Sequence, residues 1–222
     1  MQVIAGKAVL TELREIADPR WTALLVIDVQ NQFCAADSPW NHGGDASPVR
    51  RAVLRMRDLV AAARRAGLRI IYVQMTTLPG FASWSPAYTR FMVLKNGLAP
   101  EIAGQPPGSW EADIVADLAP GPGDIVLQKY GSSAFVDTPL ERILRAAGVQ
   151  SVVVSGVATH ACVESTIRDA FNRDFYVVEV EDCVAAADPA LHEASLTVMR
   201  TRVDVVKLAD LLAVWESSTP PA

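Results

Sequence analysis

Cationic residues, histidines and cysteines are all scarce in this chain of 222 residues. Its 20 Lys and Arg stand against 25 Asp and Glu, for a formal net charge of -5. No basic run offsets that average, which argues against a nucleic-acid or anionic-membrane partner and leaves a small molecule as the expected one. The three cysteines, Cys34, Cys162 and Cys183, are odd in number and widely spaced. With no C-x-x-C pair they form neither a disulfide framework nor a thiolate metal cluster, and a reducing cytoplasm is the expected home. No apolar run approaches the roughly 20 residues of a membrane span. Residues 1–19 mix acids and bases without an apolar segment, so no targeting sequence is expected there.

What the chain does have is a 50% hydrophobic composition, enough for one large α/β domain covering residues 1–222. Short runs rich in Val, Ile and Leu, with little polar alternation, predict strands at 22–28, 68–74, 124–129, 149–155, 175–181 and 203–206. Such runs suit strands buried on both faces of a parallel sheet. Helices are signalled by Ser47-Pro48, Thr138-Pro139 and Asp188-Pro189, each a capping residue before proline at the first helical position. Gly67 and Gly148 stop two helices just before the next strand. The alternation predicts a doubly wound, three-layer α/β/α sandwich on a mainly parallel six-stranded sheet.

Residues 75–123 interrupt this rhythm with many prolines and glycines and with Phe81, Trp84, Tyr88, Phe91 and Trp110. An excursion of that length is expected to be functional, as a lid, a pocket wall or a subunit contact in a homo-oligomer, dimer or tetramer. A short helix is expected over 110–118, and residues 217–222 are read as a frayed tail.

Three strand ends carry chemistry. The run Ala23-Leu24-Leu25-Val26-Ile27-Asp28 ends on an acid, and Ile125-Val126-Leu127-Gln128-Lys129 ends on a lysine. The stretch Val154-Ser155-Gly156-Val157-Ala158-Thr159-His160-Ala161-Cys162 passes through a glycine turn and opens a helix at a cysteine. Ligands in open parallel sheets bind beyond the carboxyl ends of the strands, so all three residues point to one crevice. Each alone has an ordinary explanation: a turn cap, a solvated lysine, a small packed cysteine. Together they suggest a nucleophile. The helix N-terminus favours the Cys162 thiolate, Lys129 is expected to lower its pKa and hold Asp28 ionised, and Asp28 is placed to move protons.

The segments Asp28-Val29-Gln30-Asn31-Gln32-Phe33, Lys129-Tyr130-Gly131-Ser132-Ser133-Ala134-Phe135 and Gly156-Val157-Ala158-Thr159-His160-Ala161-Cys162-Val163-Glu164-Ser165-Thr166 resemble, in order, the three catalytic motifs of the isochorismatase-like cysteine hydrolases. The resemblance spans roughly residues 20–210. It implies a catalytic triad of Asp28, Lys129 and Cys162, an oxyanion hole from the backbone N–H groups of Ala158 and Cys162, and a cis peptide between Val157 and Ala158. It also implies hydrolysis of an amide or ureido C–N bond through a cysteine thioester.

Metal-dependent nicotinamidases of this group carry an Asp-x-His pair after the second strand. Here that place reads Gln74-Met75-Thr76-Thr77, so neither metal nor cofactor is expected. A resemblance to ureidoacrylate-type amidohydrolases, through Gly108-Ser109-Trp110, 122–127 and 163–169, suggests a linear ureido or carbamoyl substrate. Gln74, Trp84, Arg90, Lys95, Tyr130 and His160 are then the candidate substrate contacts. A nicotinamidase-type amidase, a thiol redox enzyme, for which neither Cys34 after the Asp28 strand nor Cys183 after a separate strand is an obvious resolving partner, and a non-catalytic binding module stand as alternatives.

Overall fold

The computed structural model describes residues 1–41 and 44–218, so His42 and residues 219–222 lie outside it. The chain opens with an antiparallel hairpin, β1 (Gln2–Ile4) and β2 (Lys7–Val9), and a single-turn helix, α1 (Leu13–Ile16). The main sheet follows. Its strands are β3 (Thr22–Ile27), β4 (Arg69–Met75), β5 (Ile125–Lys129), β6 (Ser151–Val157), β7 (Tyr176–Ala185) and β8 (Asp204–Val206). Between and after them run α2 (Asn31–Cys34), α3 (Ser47–Arg65), α4 (Pro86–Thr89), α5 (Pro100–Ala103), α6 (Leu140–Ala146), α7 (Glu164–Phe171), α8 (Pro189–Met199) and α9 (Leu208–Ser218).

The six main strands lie in the order β5-β4-β3-β6-β7-β8, and every adjacent pair is parallel. This is the doubly wound sandwich expected from the sequence. Along β3, Leu24 and Val26 face a cluster with Met56 and Leu59 of α3 and Leu211 and Trp215 of α9. Leu25 and Ile27 face the opposite cluster, with Leu144 of α6, Ile167 of α7 and Met199 of α8. Burial on both faces explains why the strand shows no polar alternation. Each such side chain contributes about 1.5–3 kcal/mol.

The helix ends follow from local chemistry. Gly67 has φ 75° and Gly148 has φ 69°. Each lets the chain turn back so that Leu68 N–H reaches Ala63 O and Val149 N–H reaches Leu144 O, closing the helix and launching the next strand. Asp188 caps α8 by accepting from Ala190 N, and Thr138 Oγ1 accepts from Leu140 N at the start of α6. The α3 cap differs from the sequence expectation: Ser47 is already helical, and its N–H is held by the Asp45 carboxylate instead.

The helix expected over 110–118 is absent. Asp113 O and Glu111 O accept from Asn31 and Gln32, and Val115 N–H donates to Val29 O, so this backbone is pinned to the turn after β3. Groups committed across the chain cannot bond along it, and only one 3-10 turn, Ala116–Leu118, survives. The C-terminal helix runs on to Ser218, through the first residues read as tail.

Strand order reverses between β3 and β6, so the crevice beyond their carboxyl ends is the place for a ligand. Gly156 makes that junction. It pairs with Ile27 of β3, and a Cβ there would stand 2.1 Å from the Ile27 carbonyl oxygen, at φ 129°. The β6–β7 register also shifts between Val154 and Gly156. Beyond that shift, Ala185 at the end of β7 and Ala186 line the wall of the crevice.

Candidate active site

Asp28 follows β3 with φ 51°, a left-handed conformation uncommon for a non-glycine residue, though one that aspartate tolerates better than most. Gln30 holds it. The fully buried Gln30 amide accepts from Met75 N at 2.8 Å and donates to Met75 O at 2.9 Å and Ala112 O at 3.0 Å. It thus imitates a strand neighbour where the sheet has ended. Asp28 N–H still reaches Val73 O of β4, so the carboxylate leaves a braced turn.

Lys129, the last residue of β5, is fixed at its carbonyl by Thr76 N–H. Its Nζ lies 2.8 Å from Asp28 Oδ2, 2.9 Å from Gly131 O and 3.3 Å from Cys162 Sγ. Three acceptors meet the three donor hydrogens of the ammonium, and the side chain has no exposure to solvent. Cys162 sits in a wide turn, Thr159–Val163, between β6 and α7. Thr166 Oγ1 donates to Cys162 O at 2.7 Å and accepts from Ala134 N at 3.1 Å. One hydroxyl therefore ties the cysteine turn to the loop that follows Lys129. The Val157–Ala158 peptide is cis.

The electrostatics differ from the sequence expectation at the cysteine. Burial, then the Asp28 charge, push the Cys162 thiol up to about 12, and the opposing pull of Lys129 is smaller. Neither Lys129 nor the helix start makes a resting thiolate. Burial also lifts the Asp28 carboxyl above its usual range, with the Lys129 charge and the Cys162 thiol only partly offsetting it. For Lys129, burial pulls downward, but the Asp28 charge and the contacts with Asp28 and Cys162 more than offset it, so the ammonium is held. The resting set is a thiol beside a carboxylate–ammonium pair, with a carboxylate of raised basicity.

Asp28, Cys162, Ala158 and His160 all line one cavity of about 530 Å³, within the ~300–1,000 Å³ usual for small-molecule sites. Tyr88, Phe91, Met92 and Asn96 line it too, so the 75–123 excursion supplies a wall. Of the six candidate substrate contacts, the cavity reaches only His160. Burial, only partly offset by Asp188 and Glu164, lowers the His160 pKa, so the ring is neutral at pH 7. Gln74 spends its amide on Ala112 O, and Trp84 packs between Phe81 and Tyr88 behind the wall. Arg90 and Lys95 are exposed, and Tyr130 is not among the lining residues. The sequence reading missed Gln30, for which the Asp-x-Gln spacing after a strand was the available signal. It also missed Trp40, Met92 and Leu191, scattered apolar residues that carry none.

Among the described residues, no group of three or more His, Cys, Asp or Glu side chains is arranged to hold a metal ion, and no helix is long and apolar enough to cross a membrane. The ends of parallel strands thus bring Asp28, Lys129 and Cys162 together beside one cavity. An isochorismatase domain model matches residues 22–210, and the chain belongs to the isochorismatase family. It is an enzyme that hydrolyses non-peptide C–N bonds, an amidohydrolase.

Among its relatives is ureidoacrylate amidohydrolase RutB of Methylobacterium radiotolerans, 37% identical over 193 residues, which covers 83% of this chain and 75% of that one. N-carbamoylsarcosine amidase of Thermoplasma acidophilum is 28% identical, with TM-score 0.67 over 85% of this chain and 96% of the other. A cysteine hydrolase of Pseudomonas syringae pv. phaseolicola shares the fold at TM-score 0.79 and 24% identity, over 90% and 95% of the two chains.

Proposed function

We propose that this chain hydrolyses a small ureido, carbamoyl or linear amide substrate through a thioester on Cys162. The observation that carries the reading is the Lys129 ammonium, 2.8 Å from Asp28 Oδ2 and 3.3 Å from Cys162 Sγ, at a cavity that both reacting residues line. The names of two relatives, one acting on ureidoacrylate and one on N-carbamoylsarcosine, support a ureido or carbamoyl head group.

The chemistry follows from the resting protonation states. As Sγ bonds to the substrate carbonyl carbon, its proton passes to Asp28, whose raised basicity suits it to receive one. The carbonyl oxygen takes up the negative charge and is met by the backbone N–H groups of Ala158 and Cys162. Collapse of this adduct breaks the C–N bond, and Asp28 returns the proton to the leaving ammonia or amine. A water molecule, giving its proton to Asp28, then attacks the thioester, and the thiol is restored. Lys129 keeps the charge balanced while Asp28 gains and loses its proton.

A thiol redox role fits less well. Reactive redox thiols are acidic, whereas burial pushes both Cys162 and Cys34 up to about 12. A screen for ammonia or amine release over ureas, N-carbamoyl compounds, linear amides and nicotinamide tests the proposal. Turnover of at least one carbamoyl or amide series is expected, and none across the screen would overturn it.

A further inference from the structure

The triad describes the head of the substrate, and the rest of the cavity describes its body. Among the described residues lining it there is no lysine or arginine. The nearest ammonium, Lys129, is fully buried and already shared among Asp28, Gly131 and Cys162. Among the described lining residues the one basic group is His160, which burial keeps uncharged at pH 7. The lining does include a second carboxylate, Asp188, held at the start of α8 by its hydrogen bond from Ala190 N. The walls mix rings and branched side chains, among them Phe33, Phe91 and Leu191, with uncharged polar ones such as Asn41, Asn96 and Ser165.

A substrate carboxylate entering this space would lose water, find no cation among the described lining residues and face Asp188. An uncharged apolar body would gain from the same walls. Resting on the amidohydrolase reading above, we infer that this enzyme selects ureido or amide substrates whose remote end is an uncharged, aromatic or branched apolar group. It discriminates against those that carry a carboxylate there. In this respect the chain departs from a relative named for ureidoacrylate, an acid.

The test uses matched pairs that differ only in the carboxylate: benzylurea against 4-(ureidomethyl)benzoate, and butylurea against 4-ureidobutanoate. Binding to Cys162→Ala is measured by calorimetry, and kcat/KM by product release from the parental enzyme. The neutral member of each pair is expected to bind and react better by about 100-fold, the cost of an unpaired buried charge. Equal or better handling of the carboxylates, or no binding of either member at millimolar concentration, overturns the inference.

Binding of the neutral ureas to Cys162→Ala without their hydrolysis by the parental enzyme leaves the selectivity standing and sinks the hydrolase reading instead. Leu191→Arg, at a position 44% exposed, places a cation at the wall. It should reduce the neutral preference at least tenfold, and an unchanged ratio would count against the assignment.

Discussion

The ammonium of Lys129 and the carboxylate of Asp28 face each other at 2.8 Å, with 0% and 1% of their side chains exposed. Neither has water to fall back on. Removing one partner of such a pair typically costs about 3–5 kcal/mol, because the other charge is left buried. Lys129→Met should therefore lower the melting temperature and raise the Asp28 carboxyl further. The catalytic rate should fall about 100-fold or more, while the affinity of a neutral competitive inhibitor stays within about threefold. A variant that reacts at the parental rate and loses only inhibitor affinity would make Lys129 a substrate anchor.

The pH profile should report Asp28. The reaction needs its carboxylate free, and burial raises the carboxyl above the ordinary range. The acid limb of kcat/KM should accordingly lie above the usual carboxylate range, with activity rising as Asp28 loses its proton. Asp28→Asn should abolish that limb along with turnover. A limb at the ordinary carboxylate value would place the titrating group elsewhere.

Gly156 is irreplaceable for a steric reason. A Cβ would meet Ile27 O at 2.1 Å and Ile27 N at 2.7 Å, both backbone atoms of the central strand. Gly156→Ala should cost more than about 4 kcal/mol, seen as insoluble protein or a collapsed melting transition. A soluble variant with parental melting would contradict the close approach of β6 and β3.

Much of this was legible in the sequence because the relevant signals are local. Continuous apolar runs located the six strands of the main sheet. In β3 and β6 they do so because residues buried on both faces cannot alternate, whereas the edge strands β5 and β8 are partly exposed. Gly67 and Gly148 marked helix ends because positive φ suits glycine. Asp28, Lys129 and Cys162 stood out because each ends or follows a strand. What escaped depends on distant partners: nothing in residues 110–118 announces that their backbone is taken by Asn31, Gln32 and Val29. The charge state of Cys162 was misread for the same reason. The burial that outweighs Lys129 and the helix start is a property of the packed fold.

Glu179 in β7 offers a test away from the catalytic groups. It is fully buried, neither carboxyl oxygen has a hydrogen-bond partner among the described residues, and burial, with Glu164 and Glu181 nearby, pushes its pKa up to about 7. The folded state therefore holds this proton more tightly than the unfolded chain. Its contribution to stability is complete below the ordinary glutamate range, declines as pH rises toward 7, and is lost above that. Glu179→Gln should remove this dependence and be more stable than the parent at pH 8 by about 1–3 kcal/mol. Equal stability of the two proteins at pH 8 would show that Glu179 finds a partner.

The central claim is that Cys162 is the nucleophile, and the rate of ammonia or amine release by Cys162→Ala tests it most directly. Cys34→Ala and Cys183→Ala, both at buried positions outside the cavity lining, serve as controls that should keep most of their activity. The account predicts that Cys162→Ala melts near the parental temperature and releases product at least about 10³-fold more slowly. Release at an undiminished rate would contradict the thioester mechanism.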